Sequence, residues 1–156
     1  MTYRHVVAPA LIAVTLSLIG CGGSSSSSSS SPPPSAVSSR PTTLYTVSMT
    51  GTAETPKGAP HGRGIAIIAF HGASTVCFRF SHLHGFLDAT VAYIHSGPIG
   101  HAGPVLVALS SGSKLHHRGC LAISPTVSRA IWKQPSAYYV NVHSQQYPRG
   151  AVRAQL

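Results

Sequence analysis

Two short motifs place histidine beside another polar side chain on segments that have the pattern of β-strands. They are Tyr93-x-His95 and Asn141-x-His143. Residues two apart on a strand share a face, so each motif projects both polar side chains to one side. If the strands lie close together, the four side chains form a cluster on the non-core side of the sheet or at a strand end, which Arg153 could join. The cluster is either a binding site for a metal or an anion, or a hydrogen-bonded network that fixes loops.

A third motif, His82-x-His84, could chelate zinc or copper through neutral imidazoles if both rings share a strand face. Together with His95 and His143 it would supply up to four nitrogen ligands. Gly85 weakens this arrangement, because it indicates that His84 already lies in a turn. We therefore expect no cofactor and keep a zinc or copper site as the alternative.

The sequence offers little for hydrolytic catalysis. It contains no Gly-x-Ser-x-Gly motif. Glu54 and Asp88 are its only acidic residues, so paired-carboxylate chemistry would require these two to meet. Glu54 is better suited to neutralising a nearby Arg or Lys, or to capping a turn. We expect a non-enzymatic protein.

Cys21 is a candidate for covalent modification. It ends the segment Leu18-Ile19-Gly20-Cys21, which follows the apolar stretch Val6 to Ile19 and resembles the lipobox of bacterial lipoproteins. The stretch has the length of a signal-peptide core and is too short for a membrane-spanning helix. The pattern predicts that residues 1–20 are removed and that acyl chains on Cys21 anchor an exported protein to the membrane. The alternative is an ordinary secretory signal with a chance cysteine.

Residues 21–41 are rich in Ser, Pro and Gly, and they have too few apolar side chains to form a core. We expect a disordered tether that holds a single domain, residues 42–156, away from the membrane. Gly22 after the cysteine resembles the sorting signal for the outer membrane in Gram-negative bacteria. The predicted location is thus the bacterial cell envelope, on the outer membrane if the cell is Gram-negative.

The chain is strongly basic, with a formal charge of +9 from 11 Lys and Arg against 2 acidic residues. Such a charge favours anionic lipids or anionic envelope polymers as partners, and another protein remains possible. The basic residues are scattered and no base-stacking motif accompanies them, so we expect no nucleic-acid partner. The oligomeric state is left open by the sequence.

Two cysteines remain in the domain, Cys77 and Cys120. An exported chain meets an oxidising compartment, so a disulfide is the expected state, with two free thiols as the alternative. Cys77 lies between Val76 and Phe78, whose side chains point to the opposite face of the strand and are better suited to the core. We therefore expect the bridge on the outer side of a sheet or near its edge.

Period-two hydrophobic patterns dominate the domain and predict short strands separated by turns. Ser124 as a cap and Pro125 at the first helical position predict one helix, which Pro135 ends. The strand patterns and the helix signals together predict an all-β fold with one short helix. The expected architecture is an antiparallel β-sandwich of 7–8 strands, immunoglobulin-like or superoxide-dismutase-like. The predicted strands cover residues 44–49, 64–70, 75–81, 90–95, 104–109, 137–143 and 151–156.

Several motifs in a fixed order resemble the chordin-type (CHRD) domain. They are Glu54-Thr55-Pro56, Tyr93-Ile94-His95-Ser96-Gly97, Gly103-Pro104-Val105-Leu106-Val107, Tyr139-Val140-Asn141-Val142-His143-Ser144 and the segment from Pro148 to Leu156. The resemblance covers about residues 42–156 and implies an extracellular β-sandwich of largely unknown activity. It also implies the pairing of Cys77 with Cys120. Animal chordin binds growth factors, but that partner does not carry over to a bacterial lipoprotein.

The sequence departs from the family pattern at two positions. Tyr93 stands where the family usually has the first histidine of His-Ile-His, which removes one possible ligand. Ala154 stands where the family usually has glycine, which adds a Cβ at a position that could need unusual backbone angles.

Overall fold

The computed structural model describes residues 42–156. The predicted signal peptide, Cys21 and the tether lie outside the described residues. The described chain contains eight strands, one α-helix and three short 3-10 turns. The strands are β1 (Thr42–Thr50), β2 (Arg63–His71), β3 (Thr75–His84), β4 (Ala89–Ser96), β5 (Val105–Ser110), β6 (Arg118–Ala122), β7 (Tyr138–Ser144) and β8 (Val152–Gln155), and the helix is α1 (Pro125–Lys133).

All eight strands belong to one antiparallel sheet with the order β5-β4-β7-β8-β1-β2-β3-β6. The two edge strands, β5 and β6, also approach each other, so the sheet curls into a nearly closed barrel or sandwich. The predicted all-β, antiparallel fold with one short helix is confirmed. Closure of this kind leaves few unpaired strand edges.

The core follows from the alternation of side chains along each strand. On β2, Ala66, Ile68 and Phe70 are fully buried, whereas the residues between them are only half-buried. The other strands also turn one set of apolar side chains inward. Their buried members include Met49, Val76, Phe78, Phe80, Ile94, Val107, Leu109, Val140, Val142 and Val152.

The helix begins and packs as its sequence predicts. Ser124 is the N-cap, its hydroxyl accepts a hydrogen bond from the Thr126 N–H at 3.3 Å, and Pro125 occupies the first turn. Ile131 is fully buried in the core. Trp132 makes an edge-to-face contact with Phe70, with ring centroids 6.1 Å apart. No helix of the described residues is long and apolar enough to span a membrane.

The predicted disulfide is confirmed. Cys77 on β3 and Cys120 on β6 are directly opposite each other in the ladder and are joined by an S–S bond. Both face away from the core, because the core residues Val76 and Phe78 flank Cys77. The bridge thus lies on the outer side of the sheet at its edge strand, where it was expected. Strand β6 itself was not predicted.

Candidate functional site

A buried polar layer lies on the outer face of β4, β7 and β8. Because Ile94, Val140 and Val152 point into the core, the alternate residues of these strands point away from it. The ladder pairs Tyr93 with Asn141, and Asn141 with Arg153. The structure therefore brings the candidate residues Tyr93, His95, Asn141, His143 and Arg153 together, and we call these five residues, with Glu54 and Tyr139, the polar cluster.

Arg153 is the most deeply placed charge of the polar cluster, with only 2% of its surface exposed. Its Nη1 donates to the carbonyl of His101 at 2.9 Å, and its Nη2 donates to the carbonyl of Pro98 at 2.9 Å. Gln155, two residues along β8, places its amide nitrogen 2.8 Å from the carbonyl of Gly97. Side chains of β8 thus hold the loop between β4 and β5, residues 97–104, against the sheet.

Tyr139 provides the aromatic surface of the polar cluster. The guanidinium carbon of Arg153 lies 3.4 Å from the centroid of its ring, which is a cation–π contact. The ring of His95 stacks on Tyr139 with centroids 4.7 Å apart and an interplanar angle of 3°. The Tyr139 hydroxyl accepts a hydrogen bond from the Gly103 N–H at 3.2 Å. Loop, imidazole and guanidinium are therefore all in contact with one phenol.

Both histidines of the polar cluster are held by backbone carbonyls. His95 Nδ1 lies 2.9 Å from the carbonyl oxygen of Gly103, and His143 Nδ1 lies 2.9 Å from that of Pro148. A carbonyl only accepts, so each Nδ1 carries the proton and each Nε2 of the neutral ring is an acceptor. Burial lowers the pKa of both imidazoles, because the charged form is poorly solvated there. The two rings are thus neutral at pH 7.

The tautomer of His143 also fixes the orientation of Asn141. The Asn141 Nδ2 lies 2.9 Å from His143 Nε2, and since that nitrogen accepts, the amide donates to it. The amide oxygen of Asn141 then faces the rest of the polar cluster. It is fully buried and has no hydrogen-bond partner among the described residues.

Glu54 lies in the segment that follows β1, directly after the 3-10 turn Gly51–Ala53, and is only 4% exposed. Burial raises its pKa to about 7, although the Arg153 charge and the Thr55 N–H favour the carboxylate. Its carboxyl packs on Gly150, where any Cβ would collide with Glu54 Oε1. The sequence indicated that Glu54 could neutralise a basic residue. Its deep burial was not predicted, because no local pattern around Glu54 signals it.

Three buried acceptors of the polar cluster have no donor among the described residues. They are Glu54 Oε1, His95 Nε2 and Asn141 Oδ1. Buried polar atoms are almost always paired, so this group needs an additional donor, which a proton, a water molecule or a cation could supply.

A cavity of about 310 Å³ opens beside the polar cluster. Its lining combines hydroxyl, charged and amide side chains with one large apolar side chain at the rim, Ile99, which is 78% exposed. The cavity is therefore bounded by the same loop that Arg153 and Gln155 hold in place. Its lining includes Thr52, Glu54, Lys57, Ile99, Arg153 and Gln155.

The other candidate metal ligands lie elsewhere. His82 and His84 are at the end of β3, which is separated from β7 by β8, β1 and β2. The rings of His95 and His143 are close, with centroids 6.4 Å apart. The four histidines are therefore not brought together, and residues 42–156 contain no group of three or more His, Cys, Asp and Glu side chains arranged to hold a metal ion. Binding of zinc or copper stays a prediction.

The chain belongs to the CHRD domain family. The family described as "CHRD domain" matches residues 45–156, which is most of the chain and nearly all of the described domain. No curated protein and no solved structure gives a significant match. Membership therefore establishes the domain type and leaves the ligand open.

Both departures from the family pattern are accommodated locally. The ring of Tyr93 makes edge-to-face contacts with His95 and His143, at centroid distances of 5.7 and 5.2 Å. An aromatic ring thus fills the place of the third imidazole. Ala154 is buried in the core and does not have a positive φ, so its Cβ needs no unusual backbone.

Proposed function

We propose that this protein is a lipid-anchored protein of the bacterial cell envelope whose single CHRD domain binds or adheres to a partner without catalysis. The observation that carries the proposal is that the buried polar side chains hydrogen-bond to the backbone of surface loops. Arg153, His95 and His143 bind the carbonyls of surface loops, so these side chains are engaged in shaping a surface. Rigidly held loops are where binding residues commonly lie. CHRD membership brings no known reaction with it.

The anchor is tested by labelling cells that express the full chain with radioactive palmitate. We expect the label on the wild-type protein and on a Gly23→Ala control, and its complete loss in Cys21→Ser. A labelled Cys21→Ser protein, or an unlabelled wild type, contradicts the anchor.

Binding is tested with the chain from residue 22 onward, incubated with isolated cell envelopes. Ile99 projects from the loop at the rim of the cavity, so Ile99→Asp is expected to lower retention at least about tenfold, in the range of a hot-spot residue. Leu87 is equally exposed, at 75%, and lies in the connection between β3 and β4. Leu87→Asp is the matched control and should keep full retention. Equal loss in both variants, or in neither, contradicts a role of the loop.

A histidine-liganded zinc or copper site is the second candidate. It is favoured by one observation, the unpartnered lone pair of His95 Nε2 close to the ring of His143. Metal analysis after incubation with zinc or copper separates the candidates. Stoichiometric metal that is lost in His95→Ala but kept in His61→Ala would favour the second candidate over the first. A metal-free protein with an unchanged melting temperature would remove it.

A further inference from the structure

The outer face of β1, β2, β3 and β6 carries apolar side chains that the described residues cover only in part. Ile65, Ile67 and Ala69 on β2 alternate with the buried core residues and are only half-buried. Leu44 on β1 is opposite Ala69 in the ladder and is 60% exposed. The continuous apolar sequence of β2 is typical of a strand covered on both faces. Here only the inward side chains of β2 are fully buried.

Two arginines lie beside the apolar side chains of this outer face. Arg79 on β3 is directly opposite Arg118 on β6, and both are exposed. Like charges that face each other across a ladder are destabilising, so this pair works against the fold unless an anion lies over it. The disulfide between Cys77 and Cys120 occupies the neighbouring outward pair of the same two strands. It therefore keeps the two guanidinium groups side by side despite their repulsion.

This face has no acidic residue. Glu54 is buried in the polar cluster, and Asp88 lies between β3 and β4. The face therefore presents positive charge and apolar surface together. A partner that matches it must be anionic and must also accept apolar side chains, which describes the surface of an anionic bilayer.

The connection to the preceding chain favours the same occupant. Thr42, the first residue of β1, pairs with His71 at the end of this face. Residues 21–41 precede it, and a chain of that length reaches at most about 70 Å from an anchored Cys21. The Ser-rich segment itself has no acidic and few apolar side chains, so it does not complement the face.

We propose that the outward side chains of β1, β2, β3 and β6 dock on an anionic lipid bilayer, with Arg79 and Arg118 over phosphate groups and Leu44 and Ile67 in the interfacial layer. The inference extends the proposed function, because the lipid anchor would hold this face close to the membrane.

The experiment uses the chain from residue 22 onward, which carries the whole sheet, its core and its disulfide. Co-sedimentation is measured with phosphatidylcholine vesicles and with vesicles that contain about 30% phosphatidylglycerol, because anionic lipid gives about 1 kcal/mol per basic residue at the surface. Without Cys21 the result does not depend on acylation, so failure here and failure of the anchor are distinguishable.

We expect binding to the anionic vesicles alone, and about 30-fold weaker partitioning for Arg79→Gln/Arg118→Gln. Arg129→Gln/Lys133→Gln removes the same charge from α1, whose Ile131 faces the core, and should change partitioning by less than about threefold. Leu44→Ser/Ile67→Thr should also weaken binding, and lowering the salt should not restore it. Equal losses in the two charge variants would reduce the effect to net charge and overturn the proposal. So would Arg79- and Arg118-dependent binding to soluble polyphosphate without any binding to vesicles.

Discussion

Glu54 is an acid in a place that disfavours its charge. Its pKa is raised from 4.5 to about 7 by burial, so the folded state holds the proton more tightly than the unfolded state does. The stabilising contribution of this group is therefore complete below about pH 4.5 and is lost as the pH rises through about 7. Protonated Glu54 would also supply a donor to the unpartnered acceptors of the polar cluster.

Glu54→Gln should remove this pH dependence, because the amide resembles the protonated acid and cannot ionise. The two pKa values correspond to about 3 kcal/mol, so the variant should gain up to that amount over wild type between about pH 5 and about pH 9. Urea unfolding of both proteins across this range provides the measurement. Parallel stability curves for wild type and variant would show that Glu54 titrates normally in the folded protein.

Arg153 holds the 97–104 loop through a flat, forked side chain that lysine does not imitate. Arg153→Lys should lower the free energy of unfolding by about 2–4 kcal/mol, because one ammonium cannot reach both carbonyls and stack on Tyr139. Amide exchange at Gly97 and Gly103 should increase most, since these residues lie near the two ends of the released loop. The exposed Arg149 provides a control, and Arg149→Lys should change stability by less than about 0.5 kcal/mol.

At the scale of elements, the disulfide fastens the edge strand β6 to β3. Cys77→Ser/Cys120→Ser should cost about 4 kcal/mol and lower the melting temperature by about 15 °C, because the bridge closes a loop with a sequence separation of 43. Exchange of the β6 amides should rise before that of β7, which lies between two partner strands. Equal protection of β6 in the oxidised and variant proteins would mean that the ladder alone secures this edge.

The strands could be predicted where side chains alternate over six or more residues, as on β1 and β3. Strand β6 could not, because Gly119 interrupts a short segment that follows a polar, histidine-rich turn. The strand order could not be predicted from the sequence either, because β1 pairs with β8 through residues that are about a hundred positions apart. Alternation identifies a face, whereas the neighbour of each strand depends on long-range packing.

The polar cluster was only partly predictable for the same reason. The spacing of two residues placed Tyr93 with His95 and Asn141 with His143, and the structure has these pairs on common faces. The loop carbonyls that hold Arg153 and the burial of Glu54 depend on segments far apart in sequence. A period in the sequence carries no information about such contacts.

At the scale of the whole molecule, charge is the least balanced property. The chain carries 11 Lys and Arg against 2 acidic residues, and one of those acids, Glu54, is buried. Most surface charges therefore repel one another, and this repulsion lowers the stability of the compact state. The directly opposed Arg79 and Arg118 concentrate the effect at one edge of the sheet.

Arg118→Glu should accordingly stabilise the folded protein, by up to about 1 kcal/mol at low salt, because it lowers the net charge and places an acid opposite Arg79. The gain should shrink between about 10 mM and about 0.2 M NaCl, as screening shortens the reach of the charges. Lys133→Glu makes the same change in charge at the C-terminal end of α1, where an acid opposes the helix dipole, and should give no gain. Thermal melts of the wild type and the two variants at both salt concentrations measure these changes in stability. A gain of the same size in both variants would trace the effect to net charge, and no gain at either position would show that the opposed arginines cost the fold nothing.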